Sequence, residues 1–126
     1  MNKTRNSVLT ILRENNIEFD DKAVNEVGIE INKNTFVRVL DAIREHSEYS
    51  SIRGHVKVNE RFNVSYETKY LSYERWTDEL YLGQANISYA NVSGFRLYVS
   101  SSDWIDLHIK YDDESYATVV IVPSNK

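Results

Sequence analysis

Residues 95–122 read FRLYVSSSDWIDLHIKYDDESYATVVIV, and the fold turns on how this stretch is read. Three apolar rows recur with a period of two: Phe95, Leu97 and Val99; Ile105, Leu107 and Ile109; Ala117, Val119 and Ile121. Successive side chains of a strand point to opposite faces, so each row predicts one buried face. Turn-forming residues over 100–103 and 112–115 separate the rows, which makes the stretch a three-stranded antiparallel meander.

Working upstream, Ile52, Gly54, Val56 and Val58 alternate with Arg53, His55 and Lys57, and then Phe62, Val64 and Tyr66 alternate with Asn63 and Ser65. A three-residue loop, Asn59-Glu60-Arg61, keeps both apolar rows on one face and sets Arg53 beside Glu67. A two-residue loop would put Val56 against Asn63. Between this hairpin and the meander, Leu71 to Glu79 shows no clean period. Leu80 and Leu82 share one parity while Ala85, Ile87 and Tyr89 share the other, which predicts a bulge at Gly83.

The first third of the chain has helical spacing instead. Val8, Leu9, Ile11 and Leu12 form one stripe on a helix over Thr4 to Asn15, ended by Asn15-Asn16. Residues 34–46 repeat the pattern with Phe36, Val37, Val39, Leu40 and Ile43 inward and Asn34 or Thr35 as the N-cap. Between them, Asp20 caps a short helix stopped by Gly28, with Ala23, Val24 and Val27 facing inward; the alternative, a strand on the alternation of Val27, Ile29 and Ile31, is met by placing a short strand after that helix. The expected fold is therefore one α+β domain over 1–126, helical over 1–48 and β over 52–123. Its N-terminal helices pack on a C-terminal antiparallel meander-type sheet, with Val39, Leu40, Leu97, Leu107, Ile109 and Ile121 in the core.

Composition narrows the function classes. The 126 residues carry 15 Lys+Arg against 19 Asp+Glu, a formal charge of −4, and the pI is near 5.4. Nucleic acids and anionic membranes recruit clustered positive charge, so direct nucleic-acid or membrane binding is disfavoured and a protein with a basic surface is the expected partner. There is no Cys, which excludes disulfides and thiolate metal sites and fits a reducing, cytoplasmic setting. The N-terminal apolar cluster is too short for a signal-peptide core or a membrane span. His46, His55 and His108 share no ligand spacing, and the four Gly form no phosphate-cradling loop, so neither a metal nor a cofactor is expected. The carboxylates of Asp112, Asp113 and Glu114 read as solvated turn residues.

Two surfaces stand out. Tyr66, Tyr70, Tyr73, Trp76, Asp78, Glu79 and Tyr81 interleave rings with the charges of Glu67, Lys69 and Glu74; Tyr and Trp supply large, rigid contact area of the kind protein interfaces use, and the alternative is that these rings close one end of the core. The outward row of the meander, Trp104, Asp106, His108 and Lys110 beside Tyr98, Tyr116, Thr118, Val120 and Val122, is half apolar; intrachain cover, a partner or a second copy would account for it. Asp106 and His108 share one strand face with Arg96 expected across the ladder. With no nucleophile beside them, they read as ordinary polar residues of a sheet face rather than as a catalytic pair.

One local resemblance concerns DNA. Val24, Gly28-Ile29 and the run from Asn32 to Leu40 look like the second and recognition helices of a helix-turn-helix motif, which implies a DNA-binding regulator acting through residues 20–46 with Lys33, Arg38 and Arg44 as phosphate contacts. The connection from Gly28 to Lys33 is longer than that motif's usual three or four residues, and Asp41, Glu45 and Glu48 lie close by. As a whole the chain is similar in general character to the small inhibitor, immunity and anti-defence proteins of phages and mobile elements. The expected function is accordingly non-enzymatic: stoichiometric blocking of a basic protein target by aromatic anchors and carboxylates, with a homodimer through the outer sheet face as an additional arrangement.

Overall fold

In the computed structural model, which describes residues 3–20, 22–47, 52–59, 61–68, 71–74, 76–83, 85–100 and 104–123, the long apolar rows are strands of one sheet. Helix α1 spans Lys3–Glu14 and helix α2 spans Lys33–Ser47. The strands are β1 (Ile29–Ile31), β2 (Ile52–Val58), β3 (Phe62–Thr68), β4 (Leu71–Glu74), β5 (Glu79–Leu82), β6 (Ala85–Ser88), β7 (Val92–Val99), β8 (Ile105–Tyr111) and β9 (Tyr116–Pro123). A six-stranded antiparallel sheet has the order β1-β7-β8-β9-β2-β3, and β4-β5-β6 form a second, three-stranded sheet. This is the expected α+β architecture, with N-terminal helices and a mostly antiparallel β remainder.

Register follows the apolar rows. Leu97, Leu107, Val119 and Val56 face one another across β7, β8, β9 and β2, and all four are buried. Pairing Val58 with Phe62 leaves three residues in the β2–β3 loop, and Arg53 stands opposite Glu67, both as expected. The inner rows meet Val8, Leu9 and Leu12 of α1 and Phe36, Val39, Leu40 and Ile43 of α2 in one buried cluster, which includes all six residues expected in the core. Removing such side chains from water is the main favourable contribution to folding, roughly 1.5–3 kcal/mol for each large one.

Local chemistry sets the helix ends. Asn16 adopts φ 60° after α1, and the Ile17 N–H donates to the Leu12 carbonyl, closing the last turn. The N-cap of α2 is Asn32 rather than Asn34 or Thr35: its Oδ1 accepts the Thr35 N–H at 2.9 Å, and Thr35 is buried inside the first turn. Asp20 does cap the short helix, accepting the Ala23 N–H at 2.7 Å. That helix, Ala23–Val27, is a single π turn closed by Gly28 N–H to the Ala23 carbonyl. The wide turn carries Val27 away from the inward stripe, so Val24 is buried and Val27 is exposed, against expectation.

Gly28 has φ 85°, and a Cβ there would lie 2.7 Å from both Arg96 and Tyr98. Only glycine accommodates that conformation and that approach. Arg96 in turn donates to the Val27 and Gly28 carbonyls, each at 3.2 Å, and pairs with Glu30 at 2.9 Å, tying the short edge strand β1 to β7. At the other side of the sheet, the Tyr66 hydroxyl reaches past Gly54 to donate to the Val120 carbonyl at 2.6 Å; a Cβ on Gly54 would sit 1.7 Å from that same oxygen. Glycine is needed there for space.

The bulge expected at Gly83 is a turn instead. Leu82 pairs with Ala85, and paired residues share one face, so Leu80 and Leu82 lie with Ala85 and Ile87 although their parities differ. Likewise, the aperiodic stretch from Leu71 to Glu79 is a hairpin whose strands are four residues each, too short to display a period.

Candidate functional site

The three-stranded sheet divides its side chains by face. Leu71, Tyr73, Leu80, Leu82, Ala85 and Ile87 lie in register on the inner face, and Ser72, Glu74, Glu79, Tyr81, Asn86 and Ser88 lie on the outer one. The chain from β4 to β5 turns through residues 76–78. Asp78, at φ 53°, holds this turn: its carboxylate meets Lys33 Nζ at 2.6 Å, and its carbonyl accepts the Tyr89 N–H at 2.6 Å. The Trp76 N–H donates to Glu74 Oε1 at 3.1 Å, while the Trp76 side chain is 94% exposed. An indole in that position gains nothing from folding.

Beside it, Glu74 and Glu79 stand directly opposite each other. Like charges in register destabilise a strand pair, so stability does not explain their placement. Asn86 Nδ2 donates to Glu79 at 3.1 Å, and hydrogen bonds from Asn86 and then Thr77 hold the Glu79 carboxyl below its ordinary value. Desolvation first, and then the negative charges of Glu79 and Glu74, push the neighbouring Tyr81 hydroxyl up. The result is an exposed ring on the turn next to a pair of facing glutamates, with the 37%-exposed Tyr81 completing the patch.

The aromatic segment therefore does not act as one surface. Tyr66 is buried, its ring lying in the core and its hydroxyl pushed up by burial, which corrects its reading as a contact residue. Tyr73 is half-buried on the inner face, where its hydroxyl donates to the Asp41 carboxylate and Arg44 lies 5.3 Å from its ring centroid. Asp78 is committed to Lys33. Tyr70 lies outside the described residues. Trp76 and Glu79 remain outward, joined by Glu74, Tyr81 and Asn86. Asn86 is the residue that sequence reasoning missed; the pairing of Leu82 with Ala85 sets it opposite Tyr81.

The outer face of the large sheet brings together the second group. Tyr98 stands opposite Asp106, Arg96 opposite His108, and Val120 separates Asp106 from His55. Tyr98 and His108 rings are 4.7 Å apart and tilted by 43°. Asp106 Oδ1 is shielded from solvent with no hydrogen-bond partner among the described residues. Burial raises the Asp106 carboxyl, opposed by His108 and His55; burial lowers the His108 imidazole, opposed by Asp106 and aided by Arg96. Trp104 begins the row at 52% exposure over a groove lined by Arg53, His55, Ser65, Glu67, Val120 and Val122. His55 was not anticipated here, because strand order alone brings β2 beside β9.

The helix-turn-helix geometry is not formed. Its connecting turn is replaced by β1, which pairs with β7, and the segment read as its second helix is one π turn. Two of the three cations proposed for phosphate pair across elements, Lys33 with Asp78 and Arg38 with Glu14 at 2.9 Å, and Arg44 pairs with Asp41 at 3.2 Å on the same helix. Among the described residues, no cluster of three or more His, Asp or Glu side chains is placed to hold a metal ion, and no helix is long and apolar enough to cross a membrane. No protein-family model, curated protein or solved structure matches the chain, so its two candidate surfaces are read from their own residues.

Proposed function

We propose that the chain is a non-enzymatic cytoplasmic inhibitor of the immunity or anti-defence kind used by phages and mobile elements, blocking a basic protein target in a stoichiometric complex. Trp76 enters a pocket on the target, and Glu74 and Glu79 meet its positive charge. The observation that carries this reading is the 94% exposure of Trp76 on a turn that Asp78, Lys33 and Tyr89 hold in place. A ring carried on a fixed turn has only two side-chain torsions to order when it docks, and buried Trp residues dominate many interfaces. Net charge −4 steers a basic partner toward the complex, speeding encounter more than deepening affinity.

The test is affinity capture from host lysate with the wild-type chain and with Trp76→Ala and the Glu74→Lys, Glu79→Lys double variant in parallel. A retained protein lost with Trp76→Ala, and eluted at lower salt from the double variant, supports the proposal. Retention that ignores both changes, or no retention at low salt, overturns it.

A further inference from the structure

The outer row of β8 reads Trp104, Asp106, His108, Lys110 along one face: ring, acid, base, cation. Reversed, the row complements itself. A two-fold axis lying between two stacked sheets and crossing β8 at Leu107 places Trp104 over the partner's Lys110 and Asp106 over the partner's His108, each contact occurring twice. The neighbouring row obeys the same operation. Leu107 pairs with Val119, so the axis crosses β9 at that residue and sets Tyr116 over the partner's Val122. Such isologous matching is what a closed dimer requires, because every residue must suit its own symmetry mate.

We propose that the outer face of the six-stranded sheet is a dimer interface occupied by a second copy of this chain, packed face to face with β8 antiparallel to its counterpart. Sheets stacked this way lie about 10 Å apart, close enough for the facing side chains to interdigitate. Each contact improves a group that the single chain leaves poorly served. Trp104, 52% exposed, gains cover from the aliphatic stem and ammonium of the partner's Lys110. Asp106, half-buried on the outer face, gains the partner's His108 as an electrostatic complement. Among the described residues, Lys110 Nζ pairs with Glu114 at 3.7 Å, both side chains being largely exposed, so little is given up when it turns to a ring. Tyr116, 37% exposed, meets an aliphatic side chain. The opposite occupant, a nucleic-acid strand stacked on the rings, fits less well because Asp106 sits at the centre of the face and Arg96 is already bound to Glu30.

Sedimentation equilibrium over a concentration series tests the proposal, with circular dichroism reporting the fold. Wild-type protein gives a mass approaching twice 14.7 kDa as concentration rises. His108→Asp sets carboxylate against carboxylate at two symmetry-related positions and weakens association by about 100-fold. The double variant Asp106→His, His108→Asp recreates both pairs with their signs exchanged and recovers most of that loss. Trp104→Lys, facing the partner's Lys110, also yields monomer. In Trp76→Phe protein, Trp104 is the sole tryptophan, and its emission shifts to the blue on association. A wild-type chain that stays monomeric at high concentration, a dimer that survives Trp104→Lys, or a double variant that fails to recover while still folded overturns the proposal.

Discussion

The outer faces of the two sheets are built from the same residue types and behave differently. On the six-stranded sheet, Tyr98, Asp106 and His108 are half-buried among neighbours on adjoining strands, and acidic and basic groups alternate. On the three-stranded sheet, the outward row carries Glu74 and Glu79 with no cation paired to either among the described residues, and its indole stands clear of the protein. The difference is one of width. A ring on a central strand is flanked on both sides, whereas a ring on a turn between four-residue strands has no lateral neighbours. Width also governs chemistry: desolvation dominates at Asp106 and His108 and shifts both away from their ordinary values, while at Glu79 hydrogen bonds from Asn86 and Thr77 outweigh desolvation and lower the carboxyl.

The inner faces, in contrast, are alike, and the largest expected effect tests that equivalence. Leu107→Ala in the large sheet and Leu80→Ala in the small one each destabilise by about 2–5 kcal/mol, because both side chains are fully buried and truncation leaves a cavity. Denaturant titration measures both. A far smaller loss for Leu80→Ala would break the comparison by showing that the small sheet contributes little to the common core.

Next in size is the effect on the exposed ring. Trp76→Ala weakens capture of the target by more than about 1 kcal/mol, yet alters unfolding free energy by less than about 0.5 kcal/mol. Coupled loss of stability and capture would place the indole in the fold rather than at an interface.

Tyr66→Phe isolates the hydroxyl that reaches across Gly54. Losing its 2.6 Å bond to the Val120 carbonyl costs about 1 kcal/mol, since the carbonyl is left without that donor, and capture is unaffected. If capture fell while stability held, Tyr66 would belong to the contact surface after all.

The smallest effect sharpens the electrostatic contrast. Burial raises the Asp106 carboxyl in the folded chain, so the folded state holds that proton more tightly than the unfolded one. The stabilising contribution is complete below the ordinary value of 3.8 and is lost as pH rises through the folded value. Asp106→Asn therefore raises the melting temperature at neutral pH, measured at low protein concentration, and the gain disappears under acid. His108 acts with the opposite sign. Its imidazole is lowered, so its contribution is complete above 6.5 and declines as pH falls toward the folded value. A melting temperature for Asp106→Asn that is unchanged at neutral pH would show that the carboxylate is well solvated.

Much of the architecture was legible because it depends on repetition. Each row of the meander supplies three apolar residues at a period of two, and the spacing of Phe36, Val39, Leu40 and Ile43 allows only one buried helical face. The turn after α1 and the stop at Gly28 were equally readable, since Asn and Gly are the residues that tolerate the left-handed backbone found there. Both candidate surfaces were visible as residue types, Trp76 with Glu79 on one and Trp104 with Asp106 and His108 on the other.

Tertiary structure decided what the local pattern leaves open. A four-residue strand contains too few alternations to define a period, so the inward turn of Tyr73 and the outward turn of Glu74 and Tyr81 follow only once Leu71 pairs with Leu82 and Leu82 with Ala85. The burial of Tyr66 depends on β2 lying between β3 and β9, and His55 reaches the neighbourhood of Asp106 for the same reason. Strand order is a long-range property: residues 54 and 121 meet because of how the whole sheet closes, and no window of neighbouring residues records that contact. Helical and strand periods come from backbone geometry, which acts within a few residues and is therefore written in the sequence. The composition of a surface comes from which strands lie side by side, and that is settled only by the packing of the complete chain.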